Sequence, residues 1–250
     1  GGQTFEFKTL IRGESHRILA SGGAILCASA AGVFKSLDGG LSFSPWATGL
    51  LATEVGSLAF VPVPSARTAP PATGALYAAA DEWGCFKSVN GGRTWTALAE
   101  FSGGIHVYDL AVPKADAGRI YASIYPPWYR GETGEYEGLY RSSDGGQSFQ
   151  VLRLLDCVVK LGVDPRNPNR VIGAGWVGYM GAFVVSLSTD GGATWTLVKI
   201  RDSSSFYDVA GVPVVSPSNA NTIYLPGRIQ DGGRFLYKTT DGGLHWNPVT

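Results

Sequence analysis

The sequence predicts an all-β fold assembled from repeated four-stranded units, and three observations carry that expectation. The first is composition: the 250 residues include 35 glycines and 14 prolines with 12% aromatic residues, a mixture that favours short strands and tight turns over helices. The second is a short pattern, Ser/Thr-x-Asp/Asn-Gly-Gly-x-x-aromatic, which occurs five times along the chain. The third is a set of apolar runs that end in proline or Asp-Pro and are each followed by a polar turn and a second apolar run.

The five copies begin at Ser36, Ser88, Ser142, Ser188 and Thr239, with their acid or amide at Asp38, Asn90, Asp144, Asp190 and Asp241. Successive copies are separated by 52, 54, 46 and 51 residues, the length of a four-stranded supersecondary unit. The spacing predicts a β-hairpin at each copy. The Asp or Asn side chain accepts hydrogen bonds from its own turn, the glycines take positive φ, and the aromatic ring folds back onto the hairpin.

The other two strands of each unit follow from the second repeat. Leu110-Ala111-Val112-Pro113, Leu161-Gly162-Val163-Asp164-Pro165 and Val214-Val215-Ser216-Pro217 read as first strands, and Arg119-Ile120-Tyr121, Arg170-Val171-Ile172 and Thr222-Ile223-Tyr224 open the second. The spacers Arg166-Asn167-Pro168-Asn169 and Ser218-Asn219-Ala220-Asn221 supply tight turns between them. Each unit thus reads as strand A, turn, strand B, loop, strand C, Asp-Gly-Gly hairpin, strand D, and five units give twenty strands.

Charge and motif content exclude several function classes. Twenty basic and twenty acidic side chains leave no net charge, and no basic run stands ready for a phosphate backbone, which argues against nucleic-acid binding. The longest apolar stretches, such as Leu58 to Val63, fall far short of the ~18 residues of a membrane span. Cys27, Cys85 and Cys157 form no CxxC pair and are odd in number, so the expectation is buried thiols acting as small hydrophobes. His16, His106 and His245 are scattered and predict no metal site. Gly173-Ala174-Gly175-Trp176-Val177-Gly178 fits GxGxxG, but Ala182-Phe183-Val184-Val185-Ser186-Leu187 after it reads as a strand. A dinucleotide site needs a helix there, so no cofactor is expected.

The five copies resemble the Asp-box, or bacterial neuraminidase repeat, of β-propeller proteins, with a texture similar to xyloglucanase-like and sortilin-like members. The resemblance spans the chain. It implies a β-propeller with five complete blades, at about residues 14–48, 53–99, 105–153, 156–200 and 205–250, as a single domain within a ring that further blades would enlarge. Families with the box include sialidases, xyloglucan-cleaving glycoside hydrolases, sortilin-type receptors and a photosystem II assembly factor, so it speaks for fold and little for activity. It also implies that the five box residues are turn formers away from the working face. Residues 1–8 align with the second half of another box and its D strand, as the remnant of a preceding blade. The expectation is a segment of a longer polypeptide or, alternatively, an extra strand that adds to the sheet edge of a neighbouring molecule.

By the same resemblance, the working face is formed by the B-to-C and D-to-A loops. The B-to-C loops hold Asp81, Glu82 and Trp83, then the stretch from Tyr125 to Tyr136 with Trp128, Tyr129, Glu132 and Glu135, then Trp176 and Tyr179, and finally Arg228 and Asp231. Exposed aromatic rings beside carboxylates and arginine suit sugars, whose C–H faces stack on the rings while hydroxyls bond the charged groups. They equally suit a protein partner, since Trp and Tyr anchor protein interfaces. The main expectation is therefore an extracellular or cell-surface binding or scaffold module for glycans or proteins. The alternative is a glycoside hydrolase, which needs two carboxylates about 5 to 9 Å apart. Asp81, Glu82, Glu132, Glu135, Asp208 and Asp231 supply acids near the face without singling out a pair, and Asp164 in an A-to-B turn reads as structural. No Arg-Ile-Pro segment is present, and Tyr136-Glu137 matches the sialidase nucleophile pairing only as a dipeptide.

Overall fold

In a computed structural model the chain is a five-bladed β-propeller, each blade a four-stranded antiparallel sheet. The structure describes residues 15–21, 23–46, 48–50, 54–61, 74–80, 84–98, 101, 105–116, 118–124, 138–153, 160–177, 181–202, 209–228 and 233–249. Blade 1 is β1 (Ser15–Ser21), β2 (Ala24–Ser29), β3 (Gly32–Ser36) and β4 (Ser44–Pro45). Blade 2 is β5 (Val55–Val61), β6 (Ala75–Ala80), β7 (Gly84–Ser88) and β8 (Thr96–Ala97). Blade 3 is β9 (Val107–Ala111), β10 (Ile120–Ile124), β11 (Gly138–Ser142) and β12 (Gln150–Arg153). Blade 4 is β13 (Lys160–Val163), β14 (Val171–Val177), β15 (Ala182–Ser188) and β16 (Thr196–Asp202).

Blade 5 departs from the expected count. Its first strand is two pieces, β17 (Val209–Ala210) and β18 (Val214–Val215), which both pair with β19 (Ile223–Arg228), followed by β20 (Arg234–Thr239) and β21 (Asn247–Pro248). Pro213 between the pieces has no N–H to give the ladder. The same proline explains a glycine in blade 4: a Cβ on Gly162 would lie 2.3 Å from the Pro213 carbonyl oxygen, so the inner strands of the two blades meet there without a side chain between them.

Successive blades pack face to face through apolar clusters. Leu26, Ala28 and Val33 of blade 1 meet Leu58, Leu76 and Ala78 of blade 2. Tyr77 and Ala79 of blade 2 meet Leu110, Ile120 and Ala122 of blade 3. Tyr121 and Ala111 of blade 3 meet Leu161 and Val171 of blade 4, and Ile172 and Ala174 of blade 4 meet Ile223 and Leu225 of blade 5. Strand B therefore alternates strictly: one residue faces the preceding blade and the next faces the following one. This two-sided burial explains why the B strands read as continuous apolar runs. Cys27 and Cys85 are buried free thiols, as expected of small hydrophobes, and Cys157 lies outside the described residues. No helix among the described residues is long and apolar enough to cross a membrane.

Candidate functional site

The two ends of the propeller are built from different chemistry. At one end the Asp-Gly-Gly hairpins join strands C and D beside the A-to-B turns. The Gly145, Gly191 and Gly242 amides each donate to the turn of their own blade, at the Gly118, Asn169 and Asn221 carbonyls (2.8, 2.8 and 2.9 Å). At the other end the B strands stop at Ser29, Ala80, Ile124, Val177 and Arg228, and residues 81–83, 125–137, 178–180 and 229–232 beyond four of them lie outside the described residues.

At the hairpin end the expected turn chemistry is present in every copy. In blade 3 the Ser142 hydroxyl donates to Asp144 Oδ1 (2.7 Å) and accepts from the Gly146 amide (2.8 Å), while Asp144 also accepts from the Ser148 amide and hydroxyl (3.0 and 2.6 Å). Asp38, Asp190 and Asp241 repeat this pattern, with His245 Nδ1 on Asp241 Oδ2 at 2.7 Å. Asn90 accepts the Thr94 amide (2.9 Å) and donates its own amide to the Thr94 hydroxyl (2.6 Å). Both box glycines take positive φ in all five copies, for instance 73° and 87° at Gly145 and Gly146. The Trp195 and Trp246 indoles donate to the Gly192 and Gly243 carbonyls of their own turns (2.9 and 2.8 Å). Hydrogen bonds from the neighbouring hydroxyl and amide hold the box acids ionised: the Asp190 carboxyl is lowered to about 2, and Asp38, Asp144 and Asp241 lie further below the usual carboxylate range. These acids are spent on turns.

Toward the loop end the innermost strands carry a polar tier. Arg17, Ser57, Asp109 and Lys160 occupy one register position in blades 1 to 4, opposite Ala28, Ala79, Ser123 and Ala174. Asp109 is fully buried and knots four inner strands together. Its Oδ1 accepts from Ser57 Oγ (2.6 Å), Arg17 Nη1 (3.2 Å) and the Leu110 amide (3.0 Å), and its Oδ2 accepts from the Leu161 amide (2.9 Å). A carboxylate whose two oxygens are so fully occupied serves to position the strands. Asp164, expected to be structural, is buried in its turn, where it accepts from the Arg166 amide (3.0 Å) and pairs with Arg166 and Arg170.

The residues singled out for ligand contact sit on or beside the B-to-C connections. Trp176 is in β14 with its backbone opposite Phe183, and Arg228 ends β19 opposite Arg234. Asp81, Glu82, Trp83, Tyr125, Trp128, Tyr129, Tyr136, Tyr179, Asp208 and Asp231 lie outside the described residues, as do the terminal residues 1–8 aligned with a preceding box. Gly173 to Val177 of the GxGxxG pattern lie in β14, and Ala182–Ser188 after it is the strand β15 and not a helix. Sequence reading missed Asp109 and its tier. The signal was an acid inside the otherwise apolar first strand Val107–Ala111.

No protein-family model matches the chain. A curated xyloglucanase from a Paenibacillus species is 25% identical over 210 residues, which cover 70% of this chain and 20% of that protein. Among solved structures, an ancestral GH74 enzyme superposes with a TM-score of 0.66 at 20% identity, over 95% of this chain and 31% of its own. The GH74 xyloglucanase from Xanthomonas campestris does so with a TM-score of 0.62 at 17% identity, over 91% and 36%. Both of these structural neighbours are GH74 enzymes. This chain spans only about a fifth to a third of the length of these three proteins. At such identities the structural likeness establishes the propeller fold.

Proposed function

We propose that this chain is a glycan-engaging propeller segment that works through its aromatic-rich B-to-C connections. The observation that carries the reading is topological. Strand order puts the B-to-C connections at the end opposite the Asp-Gly-Gly hairpins, which supports assigning Trp83, Trp128, Tyr129, Tyr136 and Trp176 to one working face. The similarity to a xyloglucanase supports a β-glucan such as xyloglucan as the ligand class. A polysaccharide is met outside the cell, in keeping with a secreted or cell-surface protein.

The test is calorimetric titration of the chain with xyloglucan oligosaccharides, beside mixed-linkage glucans and sialosides. Trp128→Ala/Trp176→Ala should weaken xyloglucan binding by at least about ten-fold, the loss of one or two stacking contacts, with the circular dichroism spectrum unchanged. Absence of binding to every glycan would defeat the reading and turn attention to a protein ligand.

A second reading, glycoside hydrolysis, is favoured by that same relative. It requires an acid and a second carboxylate at the loop face, drawn from Asp81, Glu82, Glu132, Glu135, Asp208 and Asp231. Release of reducing ends from xyloglucan, abolished in Asp81→Asn, Glu82→Gln or Asp231→Asn, would establish it.

A further inference from the structure

The repeat makes each joint between blades a measure for the others, and the joint between blades 4 and 5 departs from it at the hairpin end. At the three joints before it, the residue preceding the box serine is a cation that donates to the first box glycine carbonyl of the next blade: Lys35 to Gly91 (3.3 Å), Lys87 to Gly145 (2.7 Å) and Arg141 to Gly191 (2.9 Å). Arg141 also donates to the Gln150 side chain of its own blade (3.3 Å), so two long side chains occupy that joint. The same two positions in blade 4 are Leu187 and Thr196, and both side chains are shorter. Leu187 lies over the second box glycine of blade 5, its Cδ1 2.8 Å from where a Cβ on Gly243 would stand. Arg170 takes the vacant carbonyl, donating to Gly242 (2.9 Å) and to Ala220. Its counterpart in blade 3, Arg119, instead donates to the Asn169 side chain, so the matching Asn221 side chain is left without that bond.

A pocket of about 420 Å³ stands at this joint, a size usual for small-molecule sites. Every described residue that lines it belongs to blade 4 or blade 5, so it lies inside a joint whose two blades are both present. Leu187 and the 58% exposed Leu244 give it apolar walls. The Thr189 and Thr196 hydroxyls and the Asn221 carboxamide also line it, and none of the three makes a hydrogen bond among the described residues. Arg170 and Asp241 are there too, but both are already answered within the fold. Arg170 pairs with the buried Asp164 (3.5 Å) and serves two carbonyls. Asp241 accepts from the Thr239 hydroxyl (2.7 Å) and from the Leu244 and His245 amides of its own turn (3.0 and 3.1 Å). The pocket thus offers free donors and acceptors beside apolar walls, with its one cation and one anion engaged.

We propose that this pocket binds a single neutral sugar ring, at the end of the propeller opposite the B-to-C connections. Each sugar hydroxyl both donates and accepts, which matches two free hydroxyls and a free carboxamide that do the same. The C–H face of the ring suits Leu187 and Leu244. Arg170 beside the pocket disfavours a cation and Asp241 disfavours an anion, so a neutral ligand fits where a charged one is repelled from one side. The site goes beyond the loop-face reading and does not rest on it.

Titrating the isotope-labelled chain with glucose, galactose and xylose, and with free arginine as the charged comparison, tests this by amide chemical shifts. The Thr196, Gly242 and Leu244 amides should shift and saturate with at least one of the sugars in the millimolar range, the affinity expected of so small a ligand, and arginine should leave them in place. Leu187→Arg restores the cation of the earlier joints and should fill the pocket and abolish the shifts. Asn221→Ala should weaken binding about five-fold, the loss of one neutral hydrogen bond, with the thermal midpoint unchanged because its side chain holds nothing in the fold. Trp128→Ala/Trp176→Ala should leave the three shifts as they are, which separates this site from binding at the loop end. Absence of saturable shifts at these amides with all three sugars, saturation by arginine alone, or undiminished affinity in either pocket variant would overturn the proposal.

Discussion

The Ser57 hydroxyl of one inner strand donates to the buried Asp109 carboxylate of the next at 2.6 Å. The acid is shared with the Arg17 guanidinium and two backbone amides, so it is the common partner of four consecutive inner strands. Asp109→Ala strands several buried donors at once and should cost about 3 kcal/mol or more in urea unfolding. Ser57→Ala, which leaves the other three bonds in place, should cost about 1 kcal/mol. Equal effects from the two variants would contradict the shared-partner role.

Acid should loosen the hairpin end first. The box carboxyls are lowered in the fold, so their contribution to stability is complete above the ordinary Asp value of 3.8 and is lost as pH falls through the folded value, about 2 for Asp190. Thermal midpoints measured from pH 5 to about pH 2 should decline, and Asp190→Asn should flatten part of the slope. Asn90 already holds the second hairpin without a titrating group, so Asn90→Asp should steepen it.

Alkali acts on a different joint. Burial, with help from the Asp144 charge, raises the Tyr77 hydroxyl to about 12. Unfolded tyrosine ionises near 10, so stability present below that pH is lost as pH rises toward the folded value. Ultraviolet titration should show the Tyr77 phenol ionising later than an ordinary tyrosine, as burial also makes Tyr121 do, and Tyr77→Phe should remove one late step while leaving the other.

Gly162→Ala tests a close approach between the inner strands of blades 4 and 5. Its Cβ would lie 2.3 Å from the Pro213 carbonyl oxygen, which cannot swing aside, so blades 4 and 5 must separate at a cost of about 1–3 kcal/mol. Gly56→Ala, whose Cβ would meet nothing nearer than 4.0 Å, is the matched control and should be nearly neutral.

What the sequence revealed follows the range of the forces involved. The hairpins at Asp38, Asn90, Asp144, Asp190 and Asp241 were legible because every bond that makes them spans four residues or fewer. The tier of Arg17, Ser57, Asp109 and Lys160 was not, because those four residue types share nothing until strand register aligns them. The first strand of blade 5 was read as one piece from Val214-Val215 at its end, and the break at Pro213, which has no N–H to give the ladder, went unread. The loop candidates could be assigned to one end of the ring from strand order alone, but which carboxylates approach one another depends on loop conformation, which no periodic pattern encodes.

Each internal joint from blade 1 to blade 4 is fastened at two heights, by a cation on a glycine carbonyl at the hairpin end and by the Asp109 knot toward the loop end. A sheet held at one height could swing on its neighbour like a page on its spine, and a sheet held at two cannot. The roots of the B-to-C connections therefore keep their spacing before any ligand arrives. A ligand that spans those roots would meet a spacing already set, and little of its binding energy would go into arranging the blades.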